Sequence, residues 1–209
     1  MKLLQLISVL ALAGAVSIGC NSGPPITGEP VVIPPPGSGG SGGGNGGGGA
    51  GGGGEGACIN EDDGAVYAEL EFTNGNGEMT TGTDAASAIG SECVRGSTES
   101  TPPVTGCGTE TLNVVACFPS CPPATVDALA TCVEGCIQDT ISTITGSTLT
   151  EDCITCYGAT VACGAAFCTD LCVVDTTSPE CIGCRCTMGG TNGCTPDFVD
   201  CSGIPSDDC

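Results

Sequence analysis

The sequence predicts an all-α or mainly α, small, disulfide-rich domain of short helices, paired as stapled helical hairpins and preceded by a disordered tether. Three observations carry that expectation. First, a CxxxC followed by a CxxC occurs twice, as Cys132/Cys136 with Cys153/Cys156 and as Cys168/Cys172 with Cys181/Cys184. Residues three or four apart share one face of a helix, so each pair is a natural staple point. Second, 19 Cys stand beside 2 Tyr, 4 Phe and no Trp in 209 residues. So few large side chains cannot build a deep core, and exported domains make up that deficit with disulfides. Third, a nearly pure Gly tract precedes the first cysteine of the cysteine-rich part. It cannot bury apolar surface and is expected to stay unfolded.

The chain divides by composition into residues 1–19, a leader; 20–56, a tether; and 57–209, the cysteine-rich domain. Met1–Lys2 is a short basic start, and residues 3–18 are almost wholly apolar. That run is too short for a spanning helix and fits an export signal, and no other stretch reads as a membrane span. The tether is Pro-rich first, with Pro34-Pro35-Pro36, and Gly-rich afterwards.

From Cys58 onward, Asn60 and Asp63 fit a helix N-terminus, while Val66, Ala68, Leu70 and Phe72 alternate as in a strand, and both readings remain open. Asn74-Gly75-Asn76-Gly77 signals a turn. The carboxylate of Glu78 follows that turn, but the alternating acids of a calcium loop are missing. Thr83 and Asp84 open a helix that ends near Cys93. Residues 95–110 read as a loop, and residues 112–118 as a short strand or extended run.

The strongest helix starts after Pro122-Pro123, with Leu129, Cys132, Val133, Cys136, Ile137, Ile141 and Ile144 at helical spacing. Gly146 is placed to close it. Thr148 with Glu151 and Thr177 with Glu180 have capping-box spacing, and Ser178-Pro179 fits an N-cap followed by Pro. Tyr157, Val161 and Cys163 continue one helix, and residues 165–173 form another. A last helix starts around Thr195-Pro196-Asp197-Phe198 and stops at Gly203. Helix geometry then suggests Cys132–Cys156 and Cys136–Cys153 in a first hairpin, with Cys168–Cys184 and Cys172–Cys181 in a second, although sequence alone does not determine connectivity.

The charge excludes some functions. Only Lys2, Arg95 and Arg185 oppose 24 acids, for a net charge of −21. Such a surface repels nucleic acid, so no nucleic-acid partner is expected. The chain has no His, which removes Ser-His and Cys-His catalysis, and nothing singles out a carboxylate pair. No enzyme, catalytic residue or cofactor is expected. The CxxC pairs have zinc-ligand spacing, and a thiolate protein for zinc or copper is the alternative function. An exported chain favours disulfides instead, and Glu151 and Asp152 disfavour a thiolate at Cys153. No metal site is therefore assigned. The same charge argues against a redox-active CxxC.

Val16-Ser17-Ile18-Gly19-Cys20 resembles the lipobox of bacterial lipoproteins, in which a small residue precedes the lipidated cysteine. Gly19 and Cys20 match, while Ser17 stands where Leu is usual. The resemblance implies lipidation of Cys20 and, through it, membrane attachment. Removing Cys20 also leaves an even number of cysteines for pairing. Asn21, rather than Asp, implies the outer membrane by similarity to known sorting rules. A secreted protein with a free Cys20 is the other reading of the leader. Further on, Cys153-Ile-Thr-Cys156-Tyr157, Val161-Ala-Cys163-Gly164, Cys168 with Cys172, Cys181-Ile-Gly-Cys184 and the run from Asn192 to Gly203 resemble cysteine-rich lipoproteins abundant in myxobacteria. That resemblance covers about residues 58–205 and implies export and a compact disulfide-rich head, with no activity to transfer. The expected protein is a lipid-anchored envelope component whose head has a binding or structural role, with a surface protein or polysaccharide as the possible ligand class.

Overall fold

The apolar row Leu129, Val133, Ile137 and Ile141 recurs every fourth residue and forms the fully buried stripe of the longest helix. Around it the chain, a computed structural model describing residues 56–173 and 176–209, is mainly helical, with seven helices and one small hairpin among the described residues. In order these are α1 (Glu61–Glu69), β1 (Glu71–Thr73), β2 (Met79–Thr81), α2 (Gly82–Arg95), α3 (Gly108–Cys117), α4 (Pro123–Thr145), α5 (Glu151–Cys172), α6 (Pro179–Thr187) and α7 (Cys194–Ser202). The leader, Cys20 and the tether as far as residue 55 lie outside the described residues.

Helix α1 takes the helical option at its start. Asn60 is the N-cap, accepting from the Asp63 backbone N–H at 2.9 Å, and Glu61, Asp62 and Asp63 fill a first turn that favours negative charge. The alternation read from Val66 to Phe72 comes from a helix face followed by a strand: Val66 and Leu70 are one helical turn apart, and Phe72 enters β1. Strands β1 and β2 pair antiparallel, with Phe72 opposite Thr80, across the expected Asn-Gly turn. Asn74 Oδ1 accepts from the N–H groups of Asn76 and Glu78 at 3.0 Å each, so the side chain holds the turn.

Residues 112–118 are not extended: they lie largely in α3. The β-branched Val114-Val115 pair misled the local reading. Tertiary ties decide instead, with Thr111 Oγ1 donating to the Val94 carbonyl at 2.7 Å and Cys107, the residue before the helix, bridged to Cys132. The two short helices expected between Cys153 and Val173 are one helix of 22 residues. By length and a mean hydropathy of 1.2, α5 is apolar enough to cross a membrane, contrary to the expectation that no stretch beyond the leader would be. Here it is the hub of the head. Its N-cap is Thr150 rather than Thr148. The Ser178 N-cap and the Gly146 and Gly203 stops lie where expected, and both glycines adopt positive φ.

The disulfides divide the head in two. Cys93–Cys136 and Cys107–Cys132 fasten α2 and the start of α3 to α4. Cys58–Cys153, Cys156–Cys201, Cys163–Cys194, Cys168–Cys184 and Cys172–Cys181 all radiate from α5. Cys186–Cys209 ties down the C-terminus, and Cys117–Cys121 closes a local loop. The second hairpin is thus bridged as expected, its ladder order showing that α6 runs antiparallel to α5. The first hairpin is not: Cys132–Cys156 and Cys136–Cys153 are replaced. The apolar row of α4 takes the core, and the neighbouring Cys132/Cys136 row turns to α3 and α2 instead of α5. In the chain-entropy picture Cys58–Cys153, closing 95 residues, constrains the unfolded chain by about 4.7 kcal/mol, against ~2 kcal/mol for Cys117–Cys121.

No bridge joins α4 to α5. They meet through the apolar core and by close backbone approach at Gly158, where a Cβ would lie 2.4 Å from Glu134 Cγ and 2.9 Å from the Ala130 carbonyl oxygen. Partial burial there, followed by the neighbouring charge of Glu151, raises the Glu134 pKa. Gly135, on the exposed side of α4, has no atom within 4 Å of such a Cβ. The two glycines should therefore respond oppositely to the same change. Gly135→Ala is expected to stabilise by about 1 kcal/mol and Gly158→Ala to destabilise by about 1–3 kcal/mol, read from guanidinium unfolding of the oxidised protein.

Candidate functional site

Two features of the head combine polar chemistry with burial. One is a buried polar knot where the N-termini of α1 and α5 meet. Asp63 is wholly buried. Its Oδ1 accepts from the Thr150 backbone N–H at 2.7 Å, and its Oδ2 accepts from Thr150 Oγ1 at 2.8 Å and from Asn60 Nδ2 at 2.6 Å. The carboxylate thereby supplies the cap that the Thr150 side chain does not give its own helix. Beside it, Tyr67 donates to the Tyr157 hydroxyl at 3.3 Å and lies 3.1 Å from the Cys153 sulfur. Tyr157 packs on Phe198 of α7 with ring centroids 5.0 Å apart. The side chains of this knot are partnered with one another and with the start of α5, so they hold α1 against α5.

The other feature is an open groove of about 210 Å³ between α2, α3, α5 and α6. Its walls are Val94 of α2, Val115 of α3 and Val161 of α5, with Val173 just beyond α5. Val115 and Val173 are exposed, and Leu112, one turn from Val115, is 69% exposed. Gly164 and Ala165 form the floor. Gly164 stands inside a long helix, where Gly costs about 1 kcal/mol relative to Ala. Packing does not require it: a Cβ there would meet only Arg185 Cδ, at 4.0 Å. The missing side chain leaves the floor open.

The groove also gathers charge. Arg95 and Arg185, the only cations among the described residues, both line it, and no Asp or Glu is among its described lining residues. Arg95 makes a loose pair with Glu92 at 3.8 Å and is half exposed. Arg185 donates from Nη2 to Asp208 at 3.0 Å and to the Thr176 carbonyl at 3.4 Å. Its Nε–H is buried with no hydrogen-bond partner, a donor left unmet at a cost of about 1–3 kcal/mol. A valine-walled slot with two guanidinium groups is suited to hold an apolar body with an acceptor at its end.

Sequence reasoning named neither the groove nor its arginines as a site. Arg95 and Arg185 were legible only as rare cations 90 positions apart, and nothing local indicates that they share a wall. The cysteines singled out from the sequence lie elsewhere in function. Cys132, Cys136, Cys153, Cys156, Cys168, Cys172, Cys181 and Cys184 are all half-cystines, and each CxxC is split between different partners or faces another helix. Among the described residues no group of three or more His, Cys, Asp or Glu side chains is arranged around a common metal position. Cys20 lies outside the described residues. No protein-family model, curated protein or solved structure matches this chain.

The tyrosines give the head a pH limit. Burial pushes the Tyr157 hydroxyl from its ordinary 10.0 up to about 12, and burial likewise raises Tyr67. An unfolded chain ionises these groups near pH 10 while the folded head keeps Tyr157 protonated until about 12. The stabilising contribution is thus full below pH 10 and is lost as pH rises from 10 to about 12. Tyrosinate absorbance, with two tyrosines and no Trp to obscure it, should show no normal titration near pH 10 in the folded protein. A tyrosine titrating there before unfolding would contradict the buried arrangement.

Proposed function

We propose that the chain is a lipid-anchored component of a bacterial cell envelope, held through Cys20, whose disulfide-rich head serves a non-enzymatic binding role. One observation carries this reading. All eighteen cysteines of the described residues pair among themselves in nine bridges, and the nineteenth is Cys20. An odd cysteine beside an apolar leader is accounted for by lipid attachment, and complete pairing suits an oxidising compartment. Membership of the cysteine-rich lipoproteins noted from the sequence, and placement at the outer membrane, belong to the same proposal. The groove supports binding over a purely structural role because it leaves Val115 and Val173 exposed beside the two arginines.

Intact-mass analysis of protein from native membranes tests it. The expected result is a lipid adduct on a chain beginning at Cys20 and a gain of about 18 Da on reduction, two hydrogens per bridge. Cys20→Ser should release the protein from the membrane fraction without changing the reduction gain. A free Cys20 in membrane-derived protein, or bound zinc with free thiols after anaerobic preparation, would overturn the proposal in favour of secretion or thiolate metal binding.

A further inference from the structure

We infer that the groove between α2, α3, α5 and α6 binds a free, single-tailed aliphatic carboxylate, with the tail on the valine walls and the carboxylate at Arg95 and Arg185. This deepens the binding role proposed above and rests on it, but it does not require the lipid on Cys20. The chemistry comes from three independent features of the groove.

Charge complementarity is the first. In a chain with 24 acids and three cations, both cations of the described residues stand on this one slot, and its described lining has no acid. The surrounding negative surface repels anions in general, so an anion is admitted only where a guanidinium group meets it. A cationic amphiphile would be drawn to almost any other face of the head.

Hydrogen bonding is the second. Arg185 lines the slot with its side chain 31% exposed, and a carboxylate supplies acceptors to the guanidinium N–H groups there. A neutral or cationic head group brings a poorer acceptor or none.

Shape is the third. A slot of about 210 Å³ is small beside the roughly 300–1,000 Å³ of pockets that take drug-sized ligands. That size suits one short tail better than two. The floor exists because residue 164 has no side chain, and Gly164 is placed where one would fit.

The test is a titration of the full-length Cys20→Ser chain, oxidised and detergent-free, with octanoate, octanol and octylammonium, followed by calorimetry and by perturbation of Val and Leu methyl resonances. Octanoate is expected to saturate at one site, roughly three- to tenfold tighter than octanol, with octylammonium weakest. Arg185→Gln and Arg95→Gln should each reduce the octanoate preference over octanol while leaving octanol unchanged. Gly164→Leu should abolish octanoate binding with an unchanged helical spectrum and a melting temperature no lower than the parent, because it fills the slot and improves helix propensity. That variant separates a lost site from a lost fold. Equal binding of octanoate and octanol would remove the arginines from the proposal. Octanoate binding that survives Gly164→Leu would place the site elsewhere, and absence of saturable binding would overturn it outright. None of these outcomes alters the membrane and mass results that test the anchored head, so failure of one reading is distinguishable from failure of the other.

Discussion

The packing of α4 on α5 at Gly158 is the contact on which the rest of the head depends, and it is the one major interface that no disulfide holds. Everything on the N-terminal side from α2 to α3 is bridged to α4, and everything on the C-terminal side is bridged to α5. Of the bridges, only Cys58–Cys153 crosses between the two sides. The hydrophobic row of α4 and the glycine of α5 therefore position two covalently stiffened halves against each other. Close approach there is possible because Gly158 leaves the Ala130 carbonyl uncovered. An interior that lacks Trp has little else with which to draw two long helices together.

Disulfides and burial divide the work by location. Bridges concentrate at α5 and its short partners α6 and α7, each of 9 residues and too short to be stable alone. The larger aliphatic side chains concentrate in α4, where Leu129, Val133, Ile137 and Ile141 form a continuous buried row. Asp63 connects the two regimes by capping α5 from α1, close to the Cys58–Cys153 bridge. That explains how a buried carboxylate persists in a small protein: both of its oxygens meet donors, three in all.

The groove follows from the same arrangement. Helices α2 and α3 are held to α4, and α6 is held to α5, so a gap remains where the two sets diverge. Its walls come from both bridged halves, and its floor is the glycine turn of α5. A slot framed by covalently fixed walls keeps its shape without a deep core. The two arginines stand there against a chain that carries 24 acids.

Periodicity and capping made much of the helical architecture legible: α2, α4 and α7 begin or end near the residues that signal them, because those signals are backbone events settled within one or two turns. The half-cystine character of the marked cysteines was legible for a similar reason, through spacing and the export expected from the leader. The Cys168–Cys184 and Cys172–Cys181 ladder was readable because α5 and α6 are linked by a short connection that brings the two faces together. The Cys132 and Cys136 partners were not, since a neighbouring apolar row decides which face of α4 meets α5, and only the assembled core reveals that choice. Helix α3 was hidden by local β propensity that bonds to Val94 and a bridge at Cys107 override. Arg95 and Arg185 carried no local mark at all. The sequence by itself determined that the head is helical, acidic and stapled, because those properties are sums over residues and short-range spacings. Which cysteine meets which, and that two distant arginines share one apolar slot, only the tertiary structure decided, because those are distances between segments that the chain brings together when it folds.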